Sequence, residues 1–402
     1  MSNTNFQNLI YNDGFFICMA KGRGSFKKLM AAAFILMMVA SAVIIIPVNG
    51  DSSADSSFTV KDGRGTEVTF NEPAGHIVTS GKGTTATVIQ LGQLDKLVVC
   101  DSYSKTATED VFTPLKQKIE EGKVKADGNV YSSGLAAFKT NVIDAADTKK
   151  GGTFDREKDV IVLTASAATN DTLKTYFSGE GFKKILVWDS ITEYDQIIDF
   201  AKAVSMCITG SVANEVKSME LVEKTIGDRL KDEQITTAEK KVKAIYVRIS
   251  SGNYALGNTN SLTTSMIDAA GGNNIAFDDG KAKPTYTISP AELTQMRTDN
   301  GEDRIVVFLD TTVTEDKVTQ LKTLMGTEHT SYVPLDGLWN NYSIDSKDGV
   351  WTMACAMYPD YFSGDVPTVS DGGNNNIILY AAIGGIVAVV VIVAAVFLMK
   401  RH

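Results

Sequence analysis

The chain has 402 residues, a length that allows two or three domains. Its composition is that of an ordinary globular protein, 44% hydrophobic and 22% charged, with no collagen-like or low-complexity bias. The net charge of −9 argues against a nucleic-acid partner, because phosphate contacts require a basic face, and it reads as a solvated acidic surface.

Residues 29–48 (LMAAAFILMMVASAVIIIPV) carry no charge and follow Lys21, Arg23, Lys27 and Lys28. A basic stretch before an apolar run reads as a secretory signal or a retained signal anchor, with Met19 as an alternative start, so residues 1–50 form an n-region plus signal segment. Residues 51–57 (DSSADSS) are a polar spacer. In FTVKDGRGTEVTF, residues 58–70, apolar positions alternate on both sides of Asp62-Gly63-Arg64-Gly65, which signals a hairpin.

Residues 77–101 (IVTSGKGTTATVIQLGQLDKLVVCD) run strand, loop, helix, strand. Gly81-Lys82 resembles the end of a nucleotide-binding loop, but Gly83 takes the place of the Ser or Thr that would hold magnesium. What remains is a strand-to-helix turn whose helix begins near Thr84-Thr85. Unpaired N–H groups there, with Lys82, can meet an anionic or polar group. Ligands of open α/β sheets bind outside the carboxyl ends of strands, where this loop falls.

Further β-branched runs at residues 97–100, 159–163 and 184–188 alternate with helical patterns, which predicts a first α/β lobe over residues 58–190 built from parallel βαβ units. Residues 191–239 are almost wholly helical in pattern. Thr192 with Asp195 forms a capping-box pattern. Ile197, Ala201, Val204 and Ile208 share one face, and Val212, Val216, Met219, Ile226 and Leu230 mark a second helix after Gly210-Ser211. The βα rhythm resumes over residues 240–362, with strands at 242–249, 304–310 and 332–335 and helices at 261–270, 290–296 and 315–325.

Residues 363–376 form a flexible Gly/Asn/Ser/Asp linker. Residues 377–399 (IILYAAIGGIVAVVVIVAAVFLM) then have the length and apolarity of a bilayer span. Lys400-Arg401-His402 places the tail, residues 400–402, in the cytoplasm and everything between the two apolar runs outside the cell. The expectation is a membrane protein with one C-terminal anchor, or two spans if the first segment is retained.

Cys100, Cys207 and Cys355 follow the export segment at unrelated spacings, so they read as buried free thiols with at most one pair bridged. His76, His329 and His402 have no metal-ligand spacing, and no metal site is expected. No G-x-S-x-G or H-E-x-x-H motif occurs, so no catalytic residue is assigned. Asn170-Asp171-Thr172 and Asn341-Tyr342-Ser343 are glycosylation sequons.

Several motifs in order resemble the substrate-binding proteins of ABC importers for iron–siderophores, haem and vitamin B12. The matching positions are Asp62, Gly65, Val68, Ile77-Val78, Ala86-Thr87, Leu91-Gly92, Val98 and Tyr103, then Gly257, Ser261, Leu262, Gly271-Gly272 and Asn274. The resemblance covers most of residues 58–362. It implies two Rossmann-like lobes joined by one long helix, best matched by residues 211–232, and a ligand held between the lobes.

The residues expected at that ligand are Lys82, Thr84, Tyr103 and Ser166 from the first lobe, and Arg248, Tyr254, Trp339 and Tyr342 from the second. Aromatic rings suit flat macrocycles or catecholates, and cations suit an anionic chelate. The resemblance also implies one permease-docking carboxylate per lobe. Asp171 matches the first, and the second falls on Ala291 with Glu292 one step away. A glycan on Asn170 would obstruct the first. The implied protein is a monomer that delivers a metal chelate (iron–siderophore, haem or cobalamin) to a permease and its ATPase, with no intrinsic cofactor. Its rivals are a cell-surface adhesion module that kept the fold and a chelatase-like enzyme.

Overall fold

The computed structural model describes residues 57–131, 134–276 and 284–369. The expected signal segment, the C-terminal span and the cytoplasmic tail lie outside the described residues. Among the described residues no helix is long and apolar enough to cross a membrane.

The hairpin of β1 (Phe58–Lys61) and β2 (Glu67–Phe70) comes first. It turns through the buried Asp62, whose carboxylate accepts the N–H groups of Arg64 and Thr66. There follow β3 (Ile77–Thr79), α1 (Lys82–Gln90), β4 (Leu97–Asp101), α2 (Ser102–Thr106), α3 (Thr113–Glu120), β5 (Lys125–Gly128) and α4 (Leu135–Ala145). Then come β6 (Val160–Leu163), α5 (Ala167–Gly179) and β7 (Lys184–Val187). These strands form a five-stranded parallel sheet of order β5-β4-β3-β6-β7. The Val-Ile-Val-Leu of β6 is buried at every position, as expected of a strand covered on both faces.

Two helices follow, α6 (Tyr194–Thr209) and α7 (Asn214–Asp232). Gln196, not Asp195, completes the cap of α6: its side-chain oxygen accepts the N–H groups of Thr192 and Glu193. Gly210 ends α6 at a φ of +78°, a conformation glycine adopts without strain. The N–H of Tyr194 donates to Ser265 Oγ at 2.9 Å, while Cys207 O accepts from Ala74 N–H at 2.8 Å. One end of α6 is thus tied to the second half of the chain and the other end to the first.

The expected long helix over residues 211–232 is α7 (Asn214–Asp232), and α6 packs beside it, so the junction is a pair of helices. Lys202 of α6 bridges to Glu220 of α7 at 2.7 Å. Val216, Met219, Val222, Ile226 and Leu230 turn one face of α7 into the core.

The second half contains β8 (Lys243–Ser250), β9 (Asn253–Gly257), α8 (Leu262–Ala269), β10 (Asn273–Asn274), β11 (Thr285–Thr287) and α9 (Pro290–Asp299). It ends with β12 (Ile305–Leu309), α10 (Glu315–Met325), β13 (Thr330–Pro334) and α11 (Ser346–Met357). Its sheet has the order β11-β9-β8-β12-β13, with β10 beside β8. It is mixed rather than wholly parallel, because β9 pairs antiparallel with both β8 and β11. The β8–β9 turn is Ser251-Gly252, both at positive φ, the backbone that suits a two-residue hairpin.

One apolar cluster runs from Ile77 and Ala86 through Ile197, Val204 and Val222 to Phe308 and Trp351. It crosses both helices of the junction, so the two sheets share a core rather than a loose linker.

Candidate functional site

The loop after β3 is fixed by a buried polar network. Gly81 stands at a φ of +98°, and its N–H donates to Asp101 Oδ2 at 3.0 Å. Asp101 ends β4, is fully buried, and also accepts the N–H and hydroxyl of Ser104. Burial pushes its carboxyl above the usual range, against the pull of those hydrogen bonds. Ser80 Oγ accepts the N–H of Thr164 at 2.8 Å, which locks this loop to the end of β6. Space is tight as well: a Cβ on Gly81 would lie 2.4 Å from Thr164 Oγ1.

These contacts bring the carboxyl ends of β3, β4, β5 and β6 to one place. A cavity of about 220 Å³ opens there. Lys82, Tyr103, Tyr131 and Thr164 line it from the first lobe, and Asn341 and Tyr342 line it from the second. Tyr103 and Tyr131 meet edge to face at 5.7 Å and are about half exposed. The Tyr131 hydroxyl donates to Thr164 O at 2.5 Å. Burial pushes the phenols of Tyr131 and Tyr342 up, so both are neutral hydrogen-bonding groups at pH 7.

A second cavity of about 610 Å³ adjoins it. Leu335, Leu338 and Trp339 give it apolar lining, and Glu109, Asp110, Asp336, Asp345 and Asp348 make it acidic. Lys82 Nζ pairs with Glu109 Oε1, so the cation of the smaller cavity is joined to a carboxylate of the larger. Among the described residues no group of three or more His, Cys, Asp or Glu could hold a metal ion.

Of the eight residues expected at a ligand, Lys82, Tyr103 and Tyr342 line the smaller cavity and Trp339 lines the larger. Thr84 does not reach a ligand: it is fully buried, and its hydroxyl lies 3.0 Å from Thr164 Oγ1 and 3.3 Å from Ser80 O. Tyr254 faces away, because alternation along β9 turns it into the core beneath α10, where its hydroxyl donates to Lys317 O at 2.9 Å. Ser166 is exposed, but its Oγ caps α5 by accepting the N–H of Thr169.

Arg248 lines neither cavity. Its Nε is shielded from solvent without a hydrogen-bond partner. It lies near Tyr246, whose hydroxyl donates to Asp310. Trp339 is itself almost fully buried, its ring edge-to-face with Tyr246 at 5.6 Å.

The sequence reading missed Glu109 and Tyr131. Tyr131 follows β5, whose Lys-Ala-Asp-Gly carries no β-branched run to reveal it. Glu109 carries no local signal.

Asp171 is exposed, and its Oδ1 accepts from Arg64 at 2.6 Å. The same guanidinium holds Asp189 through two nitrogens. Glu292 is spent as the N3 member of a capping box with Ser289, and its hydrogen bonds to Ser289 hold its carboxyl below the usual range. Asn170 is fully buried, and its amide nitrogen donates to Ala165 O, Trp188 O and Asp189 Oδ1. The folded chain leaves that nitrogen no room for a glycan, so the conflict with Asp171 disappears.

No family model matches the chain, and no curated protein matches it. Solved structures do. Helicobacter pylori CeuE with Ni(II) bound superposes with a TM-score of 0.53 at 13% identity, covering 76% of this chain and 90% of that one. The nickel–histidine complex of the same protein gives 0.52 at 15% identity, over 76% and 89%. A periplasmic binding protein from Veillonella parvula gives 0.50 at 12% identity, over 77% and 95%. With its two sheets, shared core and paired junction helices, the chain has the fold of periplasmic binding proteins.

Proposed function

We propose that the chain is an extracellular, membrane-tethered substrate-binding protein that delivers a metal chelate to the permease and ATPase of an ABC importer. One observation carries this reading: four parallel strands of one lobe end at a single cavity that the other lobe covers, where Lys82 and three tyrosines meet. That is the place and chemistry of a ligand site in an open α/β sheet. Tyrosine rings suit the flat faces of a haem, a corrin or a catecholate, and Lys82 suits an anionic chelate. The shared core supports a small closure rather than a wide clamp. Asp171, fixed by Arg64, is the docking carboxylate of the first lobe. Glu292 would have to leave its helix cap to serve in the second. The apolar segments at 29–48 and 377–399 supply export and anchoring.

The test is a titration of the purified full-length chain with haemin, cyanocobalamin and a ferric catecholate complex, followed by tryptophan fluorescence. Saturable quenching with a Kd of about 1 μM or tighter, roughly 8 kcal/mol of binding, is expected for one of them. No quenching by any probe would instead favour an adhesion module, and chemical turnover of the probe would favour a chelatase-like enzyme.

A further inference from the structure

Residues 340–344 reach from the second lobe onto α1 of the first. Ile344 N–H donates to Gln90 Oε1 at 3.0 Å. The Thr87 hydroxyl lies 3.3 Å from Tyr342 O and 3.0 Å from Gly83 O, so its one proton is shared between them. At Gly83 the backbones of the two lobes lie close together. A Cβ there would stand 1.5 Å from Asn341 O, so only glycine lets the strap lie down on the helix. Tyr342 has a φ of +55°, which a bulky side chain rarely adopts and keeps only where its surroundings hold it. It lines the cavity that also contains Lys82.

The cavity left beneath this strap measures about 220 Å³. Sites for drug-sized ligands run to roughly 300–1,000 Å³. The smaller cavity by itself therefore gives a macrocyclic chelate too little room while Tyr342 sits against α1, and the adjoining cavity of about 610 Å³ is lined by carboxylates that do not suit an anionic chelate.

We propose that residues 340–344 are a latch that occupies the cleft of the unliganded protein, with Tyr342 as the size-selecting gate. The proposal rests on the binding reading given above. Entry of a large ligand follows release of the Gln90 and Thr87 contacts, so association is limited by opening and not by encounter.

The test uses the full-length chain and haemin in stopped-flow tryptophan quenching. In the wild type the observed rate levels off as haemin is raised. Y342G fits a φ of +55° without strain and removes the ring. G83A pushes the Asn341 carbonyl off the helix. Each variant raises the plateau at least tenfold. A wild-type rate that climbs linearly with haemin, or the same plateau in all three proteins, overturns the latch.

If haemin binds none of them, amide hydrogen exchange of the peptide containing residues 338–346 decides the question without a ligand. Exchange at least tenfold faster in Y342G and G83A, with β3 and β6 unchanged, supports the latch, and equal exchange overturns it. Failure of every chelate to bind would sink the transport reading separately.

Discussion

Lys82 and Glu109 form an ion pair at the join of the two cavities, with the lysine lining one and the carboxylate lining the other. Burial alone would push the Glu109 carboxyl up, but the hydrogen bond from Lys82, backbone N–H groups and the lysine charge together hold it below the usual range. A depressed acid stabilises the fold above its unfolded pKa, and that stability is lost as pH falls through the folded value. K82M should therefore cost about 1–2 kcal/mol at pH 7, by leaving a shielded carboxylate without its partner. Thermal melts of both proteins should differ at pH 7 and converge near pH 3. A gap of the same size at both pH values would contradict the assignment.

Asp101 should matter to both fold and site. D101A removes the acceptor of Gly81 N–H and the cap of α2 together. The expected loss is about 2–4 kcal/mol, from one helix cap and a buried loop N–H left without an acceptor. Chemical denaturation measures it, and a cost under about 0.5 kcal/mol would show that the loop holds its shape unaided.

Thr84 and Tyr103 separate packing from contact. T84A should lower stability by about 1 kcal/mol, the usual worth of a buried hydrogen bond, and leave chelate affinity within about twofold. Y103A should do the reverse: little change in melting temperature, and affinity weakened about tenfold by loss of an exposed ring at the cavity. Paired melting and quenching experiments read both, and a large affinity loss in T84A would return that residue to the ligand shell.

The junction carries a pH dependence of the opposite sign. Glu223 of α7 faces Asp195 of α6; burial first, then the hydrogen bond and charge of Asp195, push its carboxyl up to about 7. A raised acid binds more protons when folded, so this group's contribution to stability falls from about pH 4.5 to pH 7 and is flat above. Asp195 is exposed, so screening keeps the effect on the order of 1 kcal/mol. E223Q should be more stable than the wild type at pH 8 and equal to it at pH 4. Parallel denaturation curves at the two pH values check this.

Local patterns made most of the fold legible. The predicted helix at residues 315–325 coincides with α10, the run at 97–100 stops one residue short of β4, and the run at 304–310 exceeds β12 by one residue at each end. β5 and β9 were missed because Lys-Ala-Asp-Gly and Asn-Tyr-Ala-Leu-Gly carry no β-branched residue, and β11 was missed because Thr-Tyr-Thr is only three residues long. The site was legible only in part. Lys82 and Tyr103 sit in the first turns of the helices that follow β3 and β4, and their place at the strand ends follows from topology. The fates of Thr84, Tyr254 and Trp339 depended on which way each side chain points, and that is set by neighbours far along the chain.

By itself the sequence determined where most of the strands and helices form and that the Gly81-Lys82 turn stands at a strand's carboxyl end, because hydrophobic period, turn chemistry and capping act over a few residues. Only the tertiary structure decided that Thr84 is buried, that Lys82 is paired with Glu109, and that Asn341 lies against Gly83. Those outcomes depend on contacts between residues up to 258 positions apart, whose geometry is fixed only when both sheets pack on one core.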